Sequence, residues 1–177
     1  MKRFKKYLQV INESTTIGLM VGRFQPLTKA HVKIIEDMSE ENDKAIIFLV
    51  KGKDSSKDTE KNPFSTEIQE KLLKSVLPKN TSIVVLNSGF FPDYINKLDY
   101  KSFTIYAGSD RIKSYEAFKK YMEDDKVLNV KEIVRGDEDI SATKVRNSLK
   151  DNDKETFEKL TDKRIHKFFQ ELKDIIG

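Results

Sequence analysis

Apolar and polar positions alternate along this chain in blocks. Thr16 to Val21, Ala45 to Val50, Ser82 to Leu86 and Phe103 to Ala107 are short, nearly continuous apolar runs bounded by polar residues, the pattern of buried strands. Between them the apolar residues change to helical spacing, as in Ile34, Ile35 and Met38, or Ile68, Leu72, Leu73 and Val76. Strand, helix, strand in this order predicts a parallel sheet. The fold class expected is therefore α/β, a Rossmann-like doubly wound parallel sheet of about five strands. From Ser141 onward the pattern is wholly helical, with Val145, Leu149, Phe157, Leu160, Ile165, Phe168, Phe169 and Leu172 supplying apolar faces; these helices are expected against the edge or end of the sheet. One long polar stretch, Lys51 to Pro63, interrupts the alternation and reads as a mobile lid.

Composition narrows the class further. A chain of 177 residues that is 37% hydrophobic holds one domain with a real core. The absence of cysteine excludes disulfides, thiolate metal sites and covalent thiol catalysis, and fits a reducing compartment. The net charge of +4 first suggests a nucleic-acid binder. Of the 33 basic residues, however, Lys2, Arg3, Lys5 and Lys6 stand together at the N-terminus, and the others balance the 29 acidic ones. The body is thus neutral, which argues against duplex nucleic acid and for a small anion held by local groups. The apolar runs are too short to cross a bilayer, and no signal-peptide core follows the basic N-terminus, so a cytoplasmic location without membrane attachment is expected.

The most informative stretch follows the first strand: Gly22-Arg23-Phe24-Gln25-Pro26-Leu27-Thr28-Lys29-Ala30-His31. Gly22 permits a turn and close ligand approach, Pro26 delays the helix, and Thr28 is a good N-cap. His31 then falls in the first helical turn, where free N–H groups and the helix dipole favour phosphate. An isolated Thr-x-x-His is ordinarily a capped helix with a surface histidine. Here the chain has only two histidines, and this one follows a strand, a glycine and a proline, where open α/β sheets place ligands.

A second such stretch, Ile140-Ser141-Ala142-Thr143-Lys144-Val145-Arg146, opens the helical part. Ser141 can cap, and Thr143 and Arg146 share a face from which a guanidinium can bond phosphate oxygens bidentately. Taken alone, it too reads as a capped helix with an exposed basic residue.

Together the two stretches resemble the paired signatures of the nucleotidyltransferase superfamily with the HIGH motif, over roughly Thr16 to Leu149. Gly22 to Pro26 and Asn62-Pro63-Phe64-Ser65 are similar to archaeal-type nicotinamide mononucleotide adenylyltransferases. Asn62 to Lys71, Gly108 to Arg111 and Ser141 to Lys144 are similar to the cytidylyltransferase-like proteins of large tailed phages. Departures are Thr28 where many members carry a first histidine, Ala30 for the usual glycine, where a methyl group crowds the nucleotide, and Ala142 for a serine.

The resemblance implies in-line attack of a substrate phosphate on the α-phosphorus of a nucleoside triphosphate, with Mg2+ carried by the triphosphate and no protein metal site. It assigns His31, Thr28 and Arg146 to catalysis, His31 and Thr28 on the transferring and bridging phosphates, and Thr143 with Arg146 on the β- and γ-phosphates. Lys51 adds positive charge or is a solvated strand-end lysine. Gly108 and Asp110 contact the nucleoside, or Ser109 and Asp110 only cap the next helix. Phe24 and Gln25 are expected against base or acceptor, Gly22, Arg23 and Ser141 around the nucleotide, and Phe64, Phe90 and Phe91 are stacking candidates or core. ATP with nicotinamide mononucleotide leads over CTP with a phosphorylated alcohol or sugar; a virion nucleotide-binding protein without turnover is the reading from another class, motivated by Ala30. Self-association into homo-oligomers is a further implication.

Residues 1–14 stand apart from the domain expected over 15–177. Phe4, Tyr7, Leu8 and Ile11 recur at helical spacing opposite a basic face, which makes a short amphipathic helix that docks on the domain or frays as a tail. The segment also resembles the capsid-targeting leaders of prohead core proteins in T-even-like phages, with Ile11-Asn12-Glu13 as a cleavage site. That likeness implies packaging into a virion.

Overall fold

The computed structural model describes residues 5–6, 14–52, 57–134 and 140–177. The expected leader helix, with Phe4, Tyr7, Leu8 and Ile11, and the middle of the expected lid lie outside the described residues.

Five strands form one sheet in the order β3-β2-β1-β4-β5. They are β1 (Thr16–Gly22), β2 (Lys44–Val50), β3 (Thr81–Leu86), β4 (Ser102–Ala107) and β5 (Val127–Glu132), and every pairing is parallel. The chain runs outward from β1 to β3, then returns to lay β4 on the other side of β1. That reversal opens a crevice at the carboxyl ends of β1 and β4, the place where doubly wound sheets bind ligands.

The sheet is covered on both faces. Along β2, Ala45, Ile47 and Leu49 join one core with Val32, Ile35 and Met38 of α1 (Lys29–Glu41) and Leu72 and Leu73 of α2 (Thr66–Lys74). The alternating Ile46 and Phe48 join a second core with Phe91, Ile95 of α3 (Pro92–Ile95) and Tyr115 of α4 (Ile112–Phe118). Helix α2 shows why these segments take this form: the Ser65 hydroxyl accepts the Ile68 N–H, Glu67 lies in its first turn, and Lys71 and Lys74 lie in its last, each matching the helix dipole.

The C-terminal helices are α5 (Ala142–Lys150), α6 (Lys154–Leu160) and α7 (Phe169–Ile176). Val145, Leu149, Phe157, Ile165, Phe169 and Leu172 enter the core shared with α1 and α2. Two ion pairs of 2.8 Å, Lys71–Glu171 and Arg164–Glu36, tie this group to α2 and α1. Both are partly exposed and screened by solvent, so apolar burial is the main attachment. Strand β5 is the element that the apolar pattern does not locate, because Asn129, Lys131 and Glu132 on this edge strand break the run.

Candidate functional site

Strand β1 delivers Gly22 to the crevice, and the next residues fold back on it. Phe24 takes φ of 48°, a left-handed conformation uncommon for an aromatic residue. Its ring is buried and meets the His31 ring edge-on with centroids 5.1 Å apart. A Cβ on Gly22 would stand 2.8 Å from Phe24 Cζ, so the glycine makes room for the ring. Gly22→Ala is expected to displace that ring at a cost of about 1–3 kcal/mol, read as a lowered melting temperature together with a shifted His31 resonance.

Thr28 and His31 form a reciprocal cap on α1. The Thr28 hydroxyl accepts the His31 N–H at 3.3 Å, and the Thr28 N–H donates to His31 Nδ1 at 3.1 Å. Because a backbone N–H can only donate, Nδ1 is the acceptor, and the neutral imidazole carries its proton on Nε2. The helix start thus orients the ring and sets its tautomer. Thr28, expected on phosphate, is only 1% exposed, and its hydroxyl is engaged by His31.

Phe24 and Gln25, expected against base or acceptor, both lie buried against protein atoms. Gln25 is 4% exposed, and its amide pairs with one backbone unit, Nε2 donating to Phe64 O and Oε1 accepting from Phe64 N–H, both at 2.9 Å. Phe64 and Phe91 are core residues, while Phe90 is half-buried against Phe118 and Tyr121. Arg23 is exposed and reaches the buried Asn62, Nη1 to Oδ1 3.4 Å. A residue that motif reading overlooks is Gln69 of α2. Its amide is fully buried, donates to Arg23 O and to Val50 O (3.4 Å), and accepts the Gly52 N–H (3.3 Å). A polar residue three and four positions before Leu72 and Leu73, inside an apolar stripe, was its one sequence signal.

The second stretch reaches the first through Arg146. Ser141 caps α5 by accepting the Lys144 N–H at 3.2 Å, which leaves Thr143 exposed one turn ahead of the arginine. Arg146 Nη1 donates to Gln25 O at 2.7 Å and Nη2 to Thr143 Oγ1 at 3.1 Å, across 121 positions of sequence in the first case. Burial holds the guanidinium below the ordinary arginine value, opposed by the Asp58 and Glu60 carboxylates, yet an arginine stays charged throughout. Its other N–H donors make no hydrogen bond among the described residues.

The remaining candidates share the same edge of the sheet. The Lys51 N–H extends the pairing of β2 with β3 by donating to Leu86 O at 3.1 Å, and its side chain is half-buried. Gly108 to Asp110 leave β4 beside the end of β1, Gly108 half-buried and Ser109 and Asp110 exposed. Neither Ser109 nor Asp110 caps α4, which starts without a side-chain cap. Gly89 lies against Val21, its position for a Cβ being 3.6 Å from Val21 Cγ1, so the loop after β3 forms a further wall of the crevice. Among the described residues no group of three or more histidine and carboxylate side chains is placed to hold a metal ion. No described helix is long and apolar enough to cross a membrane.

Fold and site together define a doubly wound α/β protein with a phosphate-ready loop and helix start at its topological switch point. Residues 19–148 match the cytidylyltransferase-like family model, and the chain belongs to that family. The matched span begins in β1 and ends in α5, so it contains both stretches. Among its relatives, nicotinamide-nucleotide adenylyltransferase of Thermococcus sibiricus is 29% identical over 169 residues, spanning 89% of this chain and 85% of that protein. The Pyrococcus furiosus protein of the same name is 42% identical over 60 residues, 33% of this chain and 31% of that protein. Two solved structures share the fold. The bifunctional NMN adenylyltransferase/ADP ribose pyrophosphatase of Francisella tularensis aligns with a TM-score of 0.64 at 19% identity, over 92% of this chain and 51% of that one. Nicotinic acid mononucleotide adenylyltransferase of Plasmodium falciparum, complexed with NaAD, aligns with a TM-score of 0.61 at 17% identity, over 91% and 98%.

Proposed function

We propose that this protein is a nucleotidyltransferase that moves a nucleoside monophosphate from a nucleoside triphosphate to a phosphate-bearing small molecule, with ATP and nicotinamide mononucleotide as the favoured pair. The observation that carries the reading is the 2.7 Å bond from Arg146 to Gln25 O, which joins the two anion-ready helix starts into one site. The relatives' names favour the adenylyl donor and the nicotinamide acceptor.

In this reading a phosphate oxygen of the acceptor attacks the α-phosphorus in line. The bond from the α-phosphorus to the bridging oxygen breaks, and pyrophosphate leaves with that bond's electron pair. His31 donates from Nε2–H to an oxygen of the transferring phosphate, where negative charge gathers in the transition state. Arg146, with Thr143 beside it, holds the β- and γ-phosphates, and Lys51 adds charge from the neighbouring strand. Magnesium arriving with the triphosphate offsets part of its charge; histidine, arginine, lysine and hydroxyl donors fit phosphate oxygens better than a bare cation.

CTP with a phosphorylated alcohol or sugar is the second reading, favoured by the family's description. Initial rates of pyrophosphate release, with each of ATP, CTP, GTP and UTP against nicotinamide mononucleotide and a panel of phosphorylated alcohols and sugars, separate the two. Release with ATP and nicotinamide mononucleotide alone supports the first; release only with CTP replaces it by the second.

A further inference from the structure

Arg146 cannot serve a triphosphate unless its guanidinium is held where the phosphates arrive, and what holds it is a carbonyl, Gln25 O, in a loop with no regular backbone pairing of its own. That loop must be fixed from elsewhere. Two buried amides do it. Gln25 grips both backbone groups of Phe64, immediately before the Ser65 cap of α2. Gln69, one turn into α2, grips Arg23 O at the end of β1, and Val50 O and the Gly52 N–H at the end of β2. Gly52 completes the interlock: a Cβ there would sit 2.0 Å from Gln25 Nε2 and 3.0 Å from Phe64 O.

We propose that Gln25 and Gln69 are positioning residues for the nucleotide site, a pair of amide clamps that lock the β1 loop to α2 so that Arg146 meets the Gln25 carbonyl in its working orientation. The inference rests on the nucleotidyltransferase reading. An amide is suited to the task because it donates and accepts at once and carries no charge, so it satisfies a buried peptide unit on both sides without the desolvation cost of an ion. Neither glutamine touches phosphate in this account. Their contribution is to the orientation of a group that does, and misplacement on the ångström scale costs up to about 10²-fold in rate.

The test compares Gln25→Met and Gln69→Met, which keep side-chain length and remove the hydrogen bonds, with Gly52→Ala, which pushes the Gln25 amide aside while every polar group stays. Each is measured alone and in an Arg146→Ala background, by ATP affinity in a calorimetric titration and by the kcat and KM of pyrophosphate release. Expected are folded variants whose ATP affinity and kcat/KM fall by about ten- to a hundredfold in the wild-type background and by no more than about twofold once Arg146 is gone, since both changes act on one interaction. If the losses persist undiminished without Arg146, or if affinity and kcat/KM stay within about twofold while only the melting temperature drops, the glutamines are merely structural and the proposal is overturned. Should a methionine variant not fold, the Gly52→Ala cycle decides alone. The titration also keeps the two readings apart: wild-type protein that binds ATP without releasing pyrophosphate overturns the catalytic reading, while the affinity cycle still judges the clamps.

Discussion

Replacing His31 by alanine is expected to lower kcat by about 10²- to 10³-fold while leaving a folded protein. The imidazole is fixed from two sides, by the Thr28 N–H on Nδ1 and by the Phe24 ring edge-on at 5.1 Å, while the His31 backbone N–H donates to the Thr28 hydroxyl. Such a group pays little reorganisation when charge develops on the phosphate, and therefore most of its effect falls on the transition state. KM for the nucleotide should change far less than kcat. The structural loss is limited to one cap contact, about 1 kcal/mol, and is read as a small fall in melting temperature. His31→Gln, which can present an amide donor in place of Nε2–H, should recover part of the rate. A His31→Ala protein with near-normal kcat removes the histidine from the chemistry and leaves it as a helix cap.

Arg146→Ala is the second large effect, and it is expected to divide differently. The guanidinium ties Gln25 O to Thr143, and in the proposed reading its remaining donors meet the phosphates. In the proposed reading its loss removes phosphate binding in the ground state and charge stabilisation on the departing pyrophosphate in the transition state, so KM for the triphosphate should rise and kcat fall together. The combined loss in kcat/KM is on the order of 10³-fold. Unlike the histidine, it also leaves a buried carbonyl unmatched, costing about 1–3 kcal/mol of stability in a denaturant titration. Arg146→Lys separates the parts: it keeps the charge but not the planar fork, and should restore less of the rate than of the stability. Equal recovery of both would mean that only charge at this position matters.

Much of this was legible in the residues. Four of the five strands are apolar runs because the sheet is buried on both faces, and the helix starts announce themselves through Thr28, Ser65 and Ser141, each of which accepts a backbone N–H in its first turn. The fifth strand stayed hidden because an edge strand carries polar residues that pattern reading assigns to loops. The surroundings of Gln25 and Thr28 are not contained in the signature for a physical reason. A polar residue inside a signature suggests ligand contact, yet both lie buried against protein atoms, and burial is decided by α2 and α1 folding back onto the loop. Gln69 carries no motif at all; its importance comes from distant carbonyls that only the folded chain gathers around it. The packing of the C-terminal helices onto α1 and α2, likewise, follows from which apolar faces remain uncovered after the sheet has formed, and local periodicity does not contain that.

In the proposed function one site, built from the loop after β1 and the start of α5, transfers a nucleotidyl group. The most direct test is to supply ATP labelled at the α-phosphorus together with nicotinamide mononucleotide and to follow the label and pyrophosphate in the same reaction. Label moving into a dinucleotide, one pyrophosphate appearing for each transfer, is the predicted result. Label that stays in bound ATP while the protein is saturated, the behaviour expected of a nucleotide-binding protein without turnover, would contradict it.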